Sequence, residues 1–408
     1  MKSAVRLSAL LCALAVVPAT AVIGPARAMA AADEPSYAVS LGDSFISGEG
    51  GRWSGNAAGR KSNGGIPKEL WDKTDRVVID GLTLDQIYAP EDLLSDDKTP
   101  GCHRSDISEI TAVRGTGFGS GTIKKVYNLA CSGATTDDLL SRHYKEQPPQ
   151  IQQLDALVSR NPKSLAFVVI SIGGNDLDLA GTMAKCGESW KASAYCSTNT
   201  AITGPLTENT RSLKTKVTFV LDKVKGVLKE RGSNAQIILQ AYPHPLASGA
   251  AGTTSQSDEN SWDRWSMYGC PFYNKDLQWL SNEVSPTITL SLKDAAKSSG
   301  VHFLDLSTAL EGHEVCSKNA QQTGYADDGS LYVPPASKSE WARYPARTEM
   351  TDSMKQEVFY PNQRGQQAMG NCLGRFALKI DRAAKSVSAK CTGGPAVAPG
   401  EMTITLEN

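Results

Sequence analysis

Ser44 is the residue of this chain best placed for covalent chemistry. It closes the apolar stretch Tyr37-Ala38-Val39-Ser40-Leu41, follows Gly42 and Asp43, and precedes Gly48, Gly50 and Gly51. A hydroxyl at the end of a strand, beside an acid and ahead of a freely bending turn, fits a nucleophile. A strand-to-helix turn capped by serine is the plainer alternative. Two more glycine turns end apolar runs: Ala130-Cys131-Ser132-Gly133-Ala134-Thr135-Thr136 and Gly173-Gly174-Asn175-Asp176. Small residues there let backbone amides approach a ligand closely. Acyl transfer by serine needs such donors for the oxyanion, together with a base held by an acid.

The elements that must position these turns are legible from periodicity. Strands are expected at Tyr37–Leu41, Ile123–Leu129, Leu165–Ile172, Gln236–Ala241 and, as the final strand, Val301–Leu306. Leu165–Ile172 is nearly all apolar and bounded by Pro162 and Gly173, as in a strand buried on both faces. Helices are expected from Ser105 to Val113, through Asp137 and Leu140, and from Pro148 with Ile151, Leu154, Leu157 and Val158 on one face. Others follow at Leu206–Glu230, at Asp276–Ser299 with a kink at Pro286, and at Gly365–Lys385. Cys186 to Cys196 reads as a small loop, and the glycines at 115, 117, 119 and 121 lack the spacing and preceding strand of a dinucleotide loop. Strands alternating with helices predict an α/β fold, a three-layer α/β/α sandwich around a mostly parallel sheet with loop insertions. Ligands of such sheets sit beyond the carboxyl ends of the strands, where all three turns fall.

The chain begins with Lys2 and Arg6, an apolar run from Leu7 to Val17 and an Ala26-Arg27-Ala28 cleavage pattern. Residues 1–28 are therefore expected to be a signal peptide cleaved near Ala28, and the mature protein to be secreted without a membrane anchor. Residues 36–385 then form the domain, with a Gly-, Asn-, Asp- and Pro-rich loop insertion at 51–101 carrying Trp53 and Trp71, and 386–408 form a tail. The formal charge of −1 gives no basic field for nucleic acid. Eight cysteines follow the leader, an even number that points to disulfides in an exported chain. They allow 105 connectivities, of which nearest-neighbour pairing gives Cys102–Cys131, Cys186–Cys196, Cys270–Cys316 and Cys372–Cys391. No C-x-x-C pair supplies zinc spacing, so no metal or other cofactor is implied.

Gly42-Asp43-Ser44, the turn holding Gly133 and Gly173-Gly174-Asn175-Asp176 resemble, in this order, the first three blocks of the GDSL or SGNH hydrolases. The nearest likeness is to the secreted, disulfide-bonded actinobacterial lipases and esterases of that superfamily. The resemblance implies a flavodoxin-like SGNH fold and a small-molecule or lipid ester as substrate. It makes Ser44 the nucleophile, and the amides of Ser44 and Gly133 with the side chain of Asn175 the oxyanion hole.

The fourth block departs from the family. A histidine precedes Pro-Asn there, whereas this chain reads Glu357-Val358-Phe359-Tyr360-Pro361-Asn362. The resemblance thus puts Tyr360 in the position of the base, with Glu357 beside it. A free phenol has a pKa of about 10, so only about one molecule in a thousand is phenolate at pH 7. A cation such as Arg364 would have to lower that value for tyrosine to act as base. Three readings stand: an ester hydrolase or acyltransferase working with Ser44 and Tyr360, a pseudoenzyme that keeps the pocket to bind acyl chains or glycans, and recruitment of another histidine. Among His103, His143, His244, His302 and His313, His244 is the best placed because it ends a strand.

Overall fold

The computed structural model describes residues 36–52, 101–255, 258–266, 268–321, 324–325, 331–332, 334–343, 356–381, 383 and 385–407. The expected leader at 1–28 and nearly all of the 51–101 insertion, with Trp53 and Trp71, lie outside the described residues.

Seven strands make one sheet: β1 (Tyr37–Gly42), β2 (Lys125–Asn128), β3 (Leu165–Ser171), β4 (Gln236–Gln240), β5 (His302–Thr308), β6 (Ser388–Thr392) and β7 (Thr403–Glu407). Their order is β7-β6-β5-β4-β3-β1-β2. Val39 stands opposite Tyr127 and Val168, Val168 opposite Ile237, Leu239 opposite Phe303 and Leu304 opposite Ala389, all in parallel pairs. Only β7 runs antiparallel, with Leu406 opposite Ala389. The segment β2-β1-β3-β4-β5 has the flavodoxin-like order, whose direction of winding reverses between β1 and β3. A crevice opens at that reversal, and Ser44 and Asn175 follow the two strands that flank it.

Period-two alternation sorts the strand residues onto two cores. Ala38, Phe167 and Val169 face one side with Met369, Leu373 and Phe376 of the helix Gln363–Ile380. Val39, Val168 and Ile170 face the other with Leu154, Val217, Val220 and Leu292. The main helices, in chain order, are α1 (Ser44–Ser47), α2 (Thr136–Leu140), α3 (Gln150–Val158), α4 (Leu179–Lys191), α5 (Thr200–Glu230), α6 (Ser285–Ser299) and α7 (Gln363–Ile380), with two short ones, Trp262–Ser266 and Asn274–Trp279, between α5 and α6. The three-layer α/β/α arrangement follows from β1 and β3 being buried over their whole length.

Several expectations are corrected. Val301–Leu306 marks β5 but not the last strand, because β6 and β7 follow it on either side of residues 393–400. The sequence Ser-Ala-Lys-Cys-Thr of β6 alternates small and polar residues, so its apolar signal is weak. Cys391 within it is bonded to Cys372 of α7. Cys186 lies inside α4 instead of a loop and is bonded to Cys196. The helix expected from Ser105 is a 3-10 turn at Glu109–Val113, and α7 stops at Ile380. Pro286 is absorbed by a π-helical turn, Leu280–Val284, which leads into α6 with the proline in its first turn. Cys102–Cys131 and Cys270–Cys316 are also joined.

Candidate active site

The end of β1 can approach β3 only because residue 42 is glycine. Its φ is 138°, and a Cβ there would collide with the carbonyl oxygen of Ser171. The side chain of Gln150 clamps both backbone groups of this residue, accepting from the Gly42 N–H at 2.7 Å and donating to its carbonyl at 2.8 Å. Asp43 then caps α1 by accepting the Phe45 N–H at 3.2 Å, which fixes Ser44 as the first helical residue.

The Ser44 hydroxyl is nearly buried and donates to the Tyr360 hydroxyl at 2.9 Å. The Tyr360 ring packs tilted on Phe45 at 4.8 Å, and Phe45 packs edge-on to Tyr242 at 5.1 Å. Tyr242 donates its hydroxyl proton to Asp43 and accepts the Gly174 N–H at 2.8 Å. One aromatic stack thus ties the ends of β1, β3 and β4 to the Tyr360 segment.

Ser44, Gly133, Asn175 and Tyr360 line one cavity of about 940 Å³. Its far walls are largely apolar, with Leu179 and Met183 of α4, Leu280 and Val284 of the π turn, and Ile288 of α6. The Asn175 side chain donates one amide hydrogen to the Ala134 carbonyl at 2.9 Å, which orients the group and leaves its second hydrogen for a ligand. Asp176 accepts from the Thr136 N–H at 2.9 Å and its hydroxyl at 2.7 Å, so the turns after β2 and β3 are joined directly. Gly133 has a φ of 83°, and the Tyr144 hydroxyl occupies the space a side chain would need. Its loop is fastened by the Cys102–Cys131 bond, by Arg104 on the Ala130 carbonyl at 2.8 Å, and by Lys145 on the Ser132 carbonyl at 2.8 Å.

Behind the pair lies Glu49, fully buried, with one oxygen 3.0 Å from His103 Nδ1 and the other accepting from the Ser132 hydroxyl. Sequence reasoning missed this carboxylate: among Gly48, Gly50 and Gly51 it reads as a solvent-facing turn residue. Tyr242 was missed for a similar reason, standing beside Pro243 where a strand ends.

Burial and nearby charges set the properties of the fourth block. The Tyr360 hydroxyl is held well above the ordinary phenol range, first by burial and then by the carboxylates of Glu49 and Asp43. Arg364 is absent from the charges that act on it, and burial disfavours the Arg364 charge itself. Glu357 has cationic partners of its own. Its buried carboxylate is gripped by Arg52 at 2.7 and 3.0 Å, with Arg343 at 3.9 Å, so it anchors the segment to the chain leaving the nucleophile turn. Among the described residues no histidine is hydrogen-bonded to Ser44. His244 lines the cavity but its Nδ1 lies 2.6 Å from the Leu246 carbonyl. His313 stacks on Trp341 at 3.8 Å, His302 meets Gln236 at 2.8 Å, and His143 is exposed.

Burial also raises three acids, Asp43 to about 7 and Glu109 and Glu314 to about 8. Such groups keep their proton in the folded chain at a pH where the unfolded chain has lost it. Their contribution is therefore most favourable near pH 4 and is lost as pH rises through 7 to 8. Glu109 accepts from Gln240 at 2.6 Å, a bond glutamine can still accept. Glu109→Gln is expected to stabilise the protein by about 3 kcal/mol at pH 8 and much less at pH 5. Urea unfolding at the two values measures the difference, and equal effects would contradict the assignment.

The profile of the GDSL-like lipase/acylhydrolase family matches residues 113–368, which include the turns at Gly133 and Asn175 and also Tyr360, while Ser44 precedes the match. Lipase 1 of Streptomyces coelicolor is 27% identical over 209 residues, covering 51% of this chain and 63% of that lipase, so the likeness spans less than two thirds of the relative. An extracellular lipase from Streptomyces rimosus superposes with a TM-score of 0.47 at 18% identity, covering 84% of this chain and 99% of that one. Phospholipase A1 from Streptomyces albidoflavus gives 0.46 at 17% identity with the same coverage.

Proposed function

The chain belongs to the GDSL-like lipase/acylhydrolase family, and from that premise we propose that it is a serine-dependent carboxylic ester hydrolase. Ser44 is the nucleophile. The Ser44 and Gly133 amides and the Asn175 side chain receive the oxyanion. Tyr360 replaces the family's histidine as the partner of the serine hydroxyl. The observation that carries the reading is the 2.9 Å bond between Ser44 and Tyr360 at the wall of an apolar cavity.

A neutral phenol aligns the serine oxygen by accepting its proton in a hydrogen bond, but it is a poor acceptor of the proton itself. Attack on an ester carbonyl is therefore slow at neutral pH, and most of the acceleration comes from the oxyanion donors and from binding. Enzymes of this chemistry that lose a triad member retain about 10³–10⁴-fold catalysis over water. We propose export as well, supported by four disulfides and by the leader pattern. No helix of the described residues is long and apolar enough to cross a membrane.

The raised Tyr360 hydroxyl favours one second reading, a binding module that holds acyl or glycan ligands without turnover. Hydrolysis of a p-nitrophenyl ester by the wild type and by Ser44→Ala separates the two. The hydrolase reading expects the wild type to exceed Ser44→Ala by a margin that widens as pH rises, since hydroxide then takes the serine proton that the phenol cannot. Equal rates at every pH would leave the binding module.

A further inference from the structure

Exposed aromatic rings collect beside the cavity mouth. Trp262 is 60% exposed and packs edge-on, at 4.7 Å, against Trp265, which forms part of the cavity wall. Tyr195, 44% exposed, packs on Tyr273 at 4.7 Å, and the Tyr273 hydroxyl donates to Asn260 at 3.2 Å, two residues before Trp262. The rings are held on a rigid platform. Arg264 is buried and donates to the Phe272 carbonyl at 2.7 Å and to Asn274 at 2.6 Å, Trp190 donates to the Glu259 carbonyl at 2.8 Å, and the Cys186–Cys196 bond fixes the base of Tyr195. A lone exposed indole means little, but exposed rings packed against the wall of a ligand cavity mark a contact surface. Two cations stand among the rings: Lys191 Nζ lies 4.5 Å from the Trp265 centroid and Lys275 Nζ 5.1 Å from that of Tyr195. Glu188 lies on the same rim of the cavity.

We propose that the Trp262–Tyr195 rim is an interfacial binding site that seats the cavity mouth on a zwitterionic phospholipid surface. The proposal deepens the reading of the cavity as an ester site by naming the physical state of its substrate. Indole and phenol rings settle at the headgroup level, where one edge is apolar and the other wet. The lysines match lipid phosphate, and the exposed ring of Trp262 matches a quaternary ammonium. The mixed charge of the rim fits a surface without net charge better than an anionic one.

The test uses the full chain carrying Ser44→Ala, so that lipid is not consumed, and sedimentation with phosphatidylcholine vesicles. The parent is expected to bind, and the Trp262→Ser/Tyr195→Ser double variant to bind about tenfold more weakly. With Ser44 intact, the same double variant is expected to hydrolyse a soluble short-chain ester at the parental rate, which also shows that it folds. Failure of the parent to bind, or equal binding by the double variant, overturns the proposal. Binding only to phosphatidylglycerol vesicles, abolished by salt, overturns it too, since the lysines alone would then carry the contact. Vesicle binding is read without turnover, so a chain that binds through these rings but hydrolyses no ester sinks the hydrolase reading and leaves the surface standing.

Discussion

Tyr360→His is expected to raise kcat for a p-nitrophenyl ester by about 10²–10³-fold at pH 7 to 8, with KM changed little. The gain follows from what the phenol cannot do. Its hydroxyl already receives the Ser44 hydrogen bond at 2.9 Å, so the position is right, but burial and the carboxylates of Glu49 and Asp43 hold it far from ionisation. An imidazole at the same place has a basic nitrogen near neutrality, and those carboxylates would favour its protonated form as the serine proton arrives. The Glu49 carboxylate, anchored by His103 and Ser132, then serves the stabilising role usually given to the acid of a triad. A Tyr360→His protein that folds and shows no gain would mean that proton transfer is not what limits the rate.

The second large effect is expected at Asn175. Truncation to alanine removes one donor from the proposed oxyanion site and should lower kcat by about 10²–10³-fold, with KM nearly unchanged, because the donor acts on charge that develops only in the transition state. The bond from Asn175 to the Ala134 carbonyl makes the remaining amide hydrogen preorganised rather than free to rotate. Asn175→Asp keeps the size but replaces the donor with an acceptor, and should be at least as damaging. A loss confined to KM in Asn175→Ala would assign the residue to ground-state binding instead.

Much of the frame was legible because it rests on local signals. Leu165–Ile172 announces a strand buried on two faces, and β3 is buried throughout. Three glycine turns at strand ends announce a shared edge, and Ser44, Gly133 and Asn175 line one cavity. The parts that were not legible are set by tertiary burial. Nothing around Glu49 marks it as an interior carboxylate, and its partners His103 and Ser132 lie 54 and 83 residues away. The family resemblance sets Glu357 beside Tyr360, but it carries no hint of the guanidinium that grips this carboxylate, which comes from Arg52, 305 residues away. The strands β6 and β7 escaped notice because strands at the margin of a sheet need little apolar sequence once a neighbour supplies the ladder, and a disulfide ties β6 to α7.

The dependence of ester hydrolysis on pH, measured for the wild type and Ser44→Ala between pH 6 and 10, tests the central claim most directly. A serine aligned by a neutral phenol should give a rate that requires Ser44 and climbs with pH without levelling off in that interval, because the Tyr360 hydroxyl stays protonated throughout. A plateau near pH 7, the signature of an imidazole base, would contradict the account, and so would a rate that Ser44→Ala leaves untouched.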